Sequence, residues 1–117
     1  MLQDAGLLRL NGMRLDGELI AVLYCLADPP NRPEPRWYDY IGGFDPRHSA
    51  LAPGTLLIAH AVECALAEGA VAFDFLRGAE PYKYRWGAVD QTMFILRATC
   101  PQSPVINAPA LQSGHPA

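Results

Sequence analysis

Apolar and polar positions alternate through most of the first 27 residues. The stretch 8–11 (Leu-Arg-Leu-Asn) has a period of two, and the apolar run 19–27 follows soon after it. Such alternation predicts half-buried β-strands. The Asn-Gly pair at 11–12 and the Asp-Gly pair at 16–17 are both typical of hairpin turns. We therefore expect two strands, with turns at both pairs.

A proline-rich loop and a third strand are expected next. The segment 28–36, "DPPNRPEPR", contains four prolines and fits neither a helix nor a central strand. The segment 37–44, "WYDYIGGF", is rich in aromatic and β-branched residues and predicts a strand. Its paired Gly42 and Gly43 leave two interpretations open: a bulge that bends the sheet, or a splayed strand whose backbone binds a ligand.

The clearest predicted helix covers residues 53–68. Pro53 suits a first helical turn, and Gly69 is a typical terminator. A stripe of apolar residues at helical spacing is expected to face the sheet: Ile58, Ala61, Val62, Ala65 and Leu66.

Two further strands are expected after this helix. The segment 70–76, "AVAFDFL", would complete a right-handed β-α-β unit with the strand at 37–44. The segment 92–100, "TMFILRATC", also has strand character. The tail 101–117, rich in Pro, Ser, Gly and Ala, is expected to be poorly ordered.

Composition and charge narrow the functional classes. A chain of 117 residues corresponds to at most one domain. A net charge of -3 argues against a partner made of nucleic acid or an anionic membrane surface, and no apolar run is long enough to span a bilayer. The N-terminal residues do not resemble a signal peptide, so we expect a cytoplasmic protein. Cys25, Cys64 and Cys100 are expected to be buried or half-buried free thiols, and no metal site is predicted.

The start of the predicted helix, "LAPGTLL" at 51–57, has two interpretations. A glycine beside free backbone N–H groups at a helix N-terminus forms an anion site, most often for phosphate. Pro-Gly-Thr is equally a routine helix start.

The segment 73–88, "FDFLRGAEPYKYRWGA", is the densest in reactive side chains. Asp74 lies within the predicted strand, and Arg77 follows at its end, where ligands gather in parallel α/β sheets. A buried Arg77 would need an anionic partner, which Glu80 or a substrate would supply. The segment is either a salt-bridge cluster with aromatic packing or a functional site.

Three stretches together carry a resemblance: "YDYIGGFDP", "LAPGTLLIAHAVECALAEG" and "FDFLRGAEPYKYRWGA". They resemble the GNAT (Gcn5-related) acyltransferase superfamily, and in particular its CelD-like branch, which is related to the FemAB peptidyltransferases. The resemblance implies an α/β (α+β) fold: a mixed sheet with one long helix between two central strands. It also implies that residues 1–100 form a partial domain that lacks the family's N-terminal strand and two helices.

The resemblance also implies a reaction, in which an amine attacks the thioester of acetyl-CoA or another acyl-CoA directly. The pyrophosphate would rest on the helix start near Ala52, Pro53, Gly54, Thr55 and Leu56, although Pro53 has no N–H to donate. The thioester carbonyl would be held by the backbone of Ile41, Gly42, Gly43 and Phe44. Glu80 or Asp74 would be the base, and Tyr82 or Tyr84 would protonate the thiolate. Arg77 and Lys83 would contact an anionic group.

Two alternatives to an N-acyltransferase with a small amine acceptor stay open. The first is a non-catalytic remnant that forms a homodimer, or binds a partner chain, through an exposed sheet edge. The second is an aminoacyl transferase of the FemAB type, for which the net charge is unfavourable. The enzyme is expected to be active where the domain is complete or completed by a partner.

Overall fold

A computed structural model describes residues 6–100 of the chain. These residues form two compact units, one that runs up to Phe75 and one that starts at Leu76. The predicted tail at 101–117 lies outside the described residues.

The first unit is built on a four-stranded mixed sheet. Its strands are β1 (Leu8–Leu15), β2 (Glu18–Ala27), β3 (Arg36–Phe44) and β4 (Ala72–Asp74), in the order β1-β2-β3-β4. β1, β2 and β3 pair antiparallel, and β3 pairs parallel with β4. This arrangement confirms the predicted α/β (α+β) class with a mixed sheet.

Only one of the two predicted turns in the first hairpin exists. Asp16 and Gly17 form the turn, with φ values of 50° and 82°. The turn predicted at Asn11-Gly12 is wrong, because β1 continues through it in register with Leu23 and Val22 of β2. A turn at 16–17 leaves the apolar run of β2 to be covered by a strand of similar length, so β1 extends to Leu15.

The long helix lies against the sheet as predicted. α1 (Pro53–Ala67) follows a 3₁₀ helix at Pro46–Leu51, and it contacts β1, β2 and β3. Its buried residues are Pro53, Leu57, Ile58, Ala61 and Ala65. The expected stripe is shifted by one position, because Leu57 is buried while Leu66 is 67% exposed.

β4 is shorter than the predicted strand at 70–76. Its three residues pair with Arg36, Trp37 and Tyr38, the first three of β3. On the β4 side, the rest of β3, from Asp39 to Phe44, is therefore left without a strand neighbour among the described residues.

The second unit contains one short helix, α2 (Pro81–Arg85). The strand predicted at 92–100 is wrong: these residues have no strand pairing among the described residues, and Phe94 is 90% exposed. Strand propensity does not produce a strand where no neighbouring strand supplies hydrogen bonds. The expectation for cysteines holds for Cys25, which is buried, and Cys64, which is half-buried, but Cys100 is exposed.

No helix in residues 6–100 is both long and apolar enough to cross a membrane.

Candidate active site

The α1 start is shaped by a left-handed residue. Ala52 has φ 50° and ψ 55°, which separates the 3₁₀ helix from α1. Its N–H donates to the Ser49 carbonyl over 3.0 Å, and the Leu56 N–H donates to the Ala52 carbonyl over 3.2 Å. Ala52 and Leu56, both named in the predicted anion site, therefore already have backbone acceptors.

Two N–H groups at this helix start have no acceptor within residues 6–100, and they belong to Gly54 and Thr55. Ala52 provides no side-chain cap, and Gly54 has no other atom within 4 Å of where a side chain would begin. The first N–H groups of a helix and its dipole both favour an anion. Pro53, by contrast, is buried and acts as the helix anchor.

The irregularity in β3 lies two residues before the glycine pair. Tyr24 pairs with Ile41 and Cys25 with Asp39, so Tyr40 is the extra residue of a β-bulge. Gly42 has the other predicted role, a close backbone approach: a Cβ there would lie 3.1 Å from the Val22 carbonyl oxygen. Gly43 faces open space.

Asp74 ends β4, opposite Tyr38. The flanking Phe73 and Phe75 pack edge to face, with ring centroids 5.3 Å apart. This contact fits the predicted alternation, in which the two phenylalanines share one face and Asp74 the other.

In the second unit, Lys83 organises the segment before α2. It is only 5% exposed, and its Nζ donates to the carbonyls of Arg77 (2.9 Å) and Gly78 (3.3 Å). The same Nζ lies 2.8 Å from Glu80 Oε2. The hydrogen bond from Lys83 lowers the pKa of Glu80, so this carboxylate is ionised and already paired near neutral pH.

The two tyrosines of α2 differ in their surroundings. Tyr82 is half-buried. Tyr84 is exposed, and its hydroxyl donates to Asp90 Oδ1 over 2.7 Å. This hydrogen bond, helped by burial, raises the pKa of Tyr84 above its ordinary value and keeps the phenol protonated.

Arg77 was expected to be buried, and this expectation is wrong. Its residue is exposed, and its backbone carbonyl is held by Lys83. The carboxylate of Glu80, one of its two predicted partners, forms its ion pair with Lys83. An exposed guanidinium remains hydrated, so it has no need of a buried anionic partner.

The structure also reveals features that the sequence reasoning missed. A pocket of about 360 Å³ lies between β1 and α1 and is lined by Gly12, Met13, Arg14, Leu56, Leu57 and His60. Asp90 was missed as well; the only sequence signal for it is Gly87, a typical helix terminator that lets the chain turn back. Residues 6–100 contain no cluster of His, Cys, Asp and Glu that would hold a metal ion.

Comparisons with known proteins place this geometry in a family. The model of the acetyltransferase (GNAT) domain matches residues 1–84. A comparison with curated proteins found no match.

Two solved structures have a similar fold. One is a ribosomal-protein-alanine N-acetyltransferase from Brucella melitensis biovar Abortus 2308, with a TM-score of 0.61 and 16% identity over 83% of this chain and 75% of that one. The other is the aminoglycoside acetyltransferase HMB0005 from an uncultured soil metagenomic sample, with a TM-score of 0.59 and 19% identity over 87% of this chain and 70% of that one. With the domain model matched over most of its length, the chain belongs to the acetyltransferase (GNAT) domain family.

Proposed function

We propose that this protein is an N-acyltransferase that moves an acyl group, most simply acetyl, from the thioester of CoA to an amine. The observation that carries the proposal is the free helix start of α1, with the N–H groups of Gly54 and Thr55. It follows β3, whose second half has no neighbouring strand on the β4 side in the described part of the chain. The names of both similar structures, each an acetyltransferase, support the same reaction class.

The first unit would bind acyl-CoA. The pyrophosphate would accept hydrogen bonds from Gly54 and Thr55, where the helix dipole adds to the attraction. The thioester would lie along Ile41–Phe44, where Gly43 faces open space and lets a ligand approach the backbone. Backbone N–H groups there would stabilise the oxyanion as the amine attacks.

The second unit would supply groups that handle protons and charge. Tyr82 and Tyr84 are the candidate donors to the thiolate, and Arg77 and Lys83 the candidate contacts to an anionic group. Of the two candidate bases, Glu80 has a lowered pKa and an ion pair with Lys83, both of which weaken it as a base. We therefore favour Asp74, at the end of β4, over Glu80.

The segment 73–88 further supports assignment to the CelD-like branch, and the fold would act in the cytoplasm on a small amine. Association through an exposed edge of the sheet stays a prediction, which size-exclusion chromatography with light scattering tests.

Isothermal titration calorimetry with acetyl-CoA and longer acyl-CoAs tests the proposal. The decisive variant is Thr55→Glu, because a carboxylate in the first turn favours the helix but repels a pyrophosphate. We expect at least about tenfold weaker binding, which corresponds to about 1.4 kcal/mol, with no loss of thermal stability.

The matched control is Ala67→Glu, which adds the same charge to the last turn of α1 and should leave the affinity unchanged. Folded wild-type protein that binds no acyl-CoA would disprove the proposed function. Equal affinities for wild-type and Thr55→Glu protein would remove the helix start from the site.

A further inference from the structure

α2 ends in a chain reversal that returns Asp90 to the helix. The Gly87 N–H donates to the Tyr84 carbonyl over 2.9 Å, and the Ala88 N–H donates to the Lys83 carbonyl over 3.3 Å. These two bonds, with Gly87 at φ 85°, form a Schellman motif. The chain therefore doubles back, which brings the Asp90 carboxylate beside Tyr84.

The resulting hydrogen bond fixes the direction of the Tyr84 hydroxyl. Its proton points at Asp90 Oδ1, and the 2.7 Å distance is typical of a bond between a hydroxyl and an ionised carboxylate. The lone pairs of the phenol oxygen are left to accept from another donor. Tyr84 is 43% exposed, so a substrate can reach it.

We propose that Tyr84 and Asp90 form a proton-relay pair for acyl transfer. Tyr84 contacts the reacting atoms, while Asp90 is a positioning residue that orients the phenol and holds the transferred proton. The inference rests on the proposed function and deepens it, because it gives one pair both the removal of the amine proton and the protonation of the thiolate.

The proton balance closes within this pair. The amine lone pair forms the new C–N bond, and the nitrogen of the tetrahedral intermediate becomes positively charged. It gives one proton to Tyr84 Oη as Oη passes its own proton to Asp90. When the C–S bond breaks, its electron pair leaves with sulfur, which takes a proton from Tyr84 as Asp90 returns one. Nitrogen and sulfur are bonded to the same carbon in the intermediate, so one phenol oxygen can reach both.

The charges that act on the phenol support this relay. Asp90 and Glu80 both raise the pKa of Tyr84, and the Asp90 hydrogen bond has the larger effect. Glu80 is itself paired with Lys83, which leaves Asp90 as the carboxylate that holds the hydroxyl.

A tyrosine titration tests the pair without requiring turnover. Protein labelled with ¹³Cζ-tyrosine is titrated by NMR as wild type, Asp90→Asn and Asp90→Ala, and Tyr84→Phe assigns the signal. Asparagine keeps an acceptor oxygen for the hydroxyl but carries no charge and cannot take the proton. We expect Tyr84 to titrate at lower pH in both Asp90 variants; an unmoved titration would overturn the proposal.

Kinetics then separate a relay from a structural clasp. Thiol release from acetyl-CoA is followed with butylamine, a lysine amide and an alanine peptide as acceptors. We expect Asp90→Asn to lower kcat by about 10²-fold, with the KM for acetyl-CoA changed by less than about twofold. The pH dependence of kcat should flatten as well, whereas the exposed control Glu63→Gln should match wild type.

Each outcome of these experiments is informative. An Asp90→Asn or Tyr84→Phe protein that turns over at the wild-type rate overturns the relay alone, as does wild-type protein that binds acetyl-CoA but acylates none of the amines. Absence of acetyl-CoA binding in calorimetry overturns the proposed function, and the catalytic role of the pair with it.

Discussion

Lys83 shows how one buried cation organises a whole turn. Its ammonium holds two consecutive carbonyls, at Arg77 and Gly78, together with the Glu80 carboxylate. Gly78 is required at this turn, because a Cβ there would lie 2.5 Å from Glu80 Oε2 and its φ is 112°. The segment before α2 is therefore held in place by one side chain rather than by a strand or a helix.

Replacing Lys83 tests this role. We expect Lys83→Met, which keeps the apolar stem, to destabilise the second unit by about 1 to 3 kcal/mol, since two carbonyls lose a donor. Hydrogen exchange of a peptide covering residues 76–90 measures the change. Arg85→Met is the matched control, because Arg85 is exposed on the same helix; equal effects of the two variants would contradict the assignment.

Ala52 is a second residue whose backbone matters more than its side chain. It is exposed, and its φ of 50° lies in the left-handed region that glycine adopts more easily. We expect Ala52→Gly to raise the free energy of unfolding by about 0.5 to 1 kcal/mol.

The neighbouring Ala50→Gly gives the opposite sign. Ala50 is also exposed but lies inside the 3₁₀ helix, so the added freedom of the unfolded chain should lower stability by about 0.5 to 1 kcal/mol. Urea denaturation compares the two variants, and a shared sign would show that the left-handed conformation of Ala52 costs nothing.

At the scale of the element, β3 combines a buried start with an open end. Trp37 is buried near its beginning, whereas every residue from Tyr40 to Phe44 is exposed. The bulge at Tyr40 and the short β4 together produce this change, because pairing with β4 ends at Tyr38.

The two glycines of β3 should respond differently to a methyl group. In Gly42→Ala the new Cβ would meet Leu23 Cδ1 at 3.0 Å and the Val22 carbonyl oxygen at 3.1 Å, so β2 and β3 must move apart. We expect a loss of about 1 to 3 kcal/mol in unfolding free energy, measured by thermal or urea denaturation. Gly43→Ala meets nothing within 4 Å and should cost little stability; a larger loss there than at Gly42 would contradict the register of β2 and β3.

At the scale of the whole molecule, paired charges determine the response to acid. Hydrogen bonds from Arg47 lower the pKa of Asp45 from 3.8 to about 2. A carboxylate whose pKa is lower in the folded state stabilises the fold above its unfolded pKa, and this contribution is lost as the pH falls toward 2. The Asp45–Arg47 contribution should therefore be complete near neutral pH and disappear between about pH 4 and pH 2.

Asp45→Asn tests this dependence in urea titrations at several pH values. We expect the difference in midpoint between wild type and Asp45→Asn to be small, because both side chains are exposed, and to vanish at the acid end. Asp16→Asn is the control, since asparagine also adopts the φ of 50° found in that turn. A midpoint difference that persists unchanged at pH 2 would contradict the lowered pKa.

Much of the architecture was determined by local sequence. The period-two stretches of β1 and β2, the prolines of 28–36 and the helix begun by Pro53 were all predicted, because propensity, turn chemistry and apolar periodicity agreed at those positions. The family resemblance also came from the sequence, since it depends on residue types in order.

Tertiary structure decided what depended on partners distant in the chain. The Asn-Gly pair at 11–12 lies within a strand because β2 offers a long pairing edge, and 92–100 forms no strand because none pairs with it in the described residues. Likewise, the sequence placed Arg77, Glu80 and Lys83 in one segment, but only the fold showed that Lys83 is the buried cation and that Asp90 returns to Tyr84. Periodicity records the preference of each residue for a surface or a core, whereas burial and hydrogen bonding depend on which atoms the rest of the chain brings near.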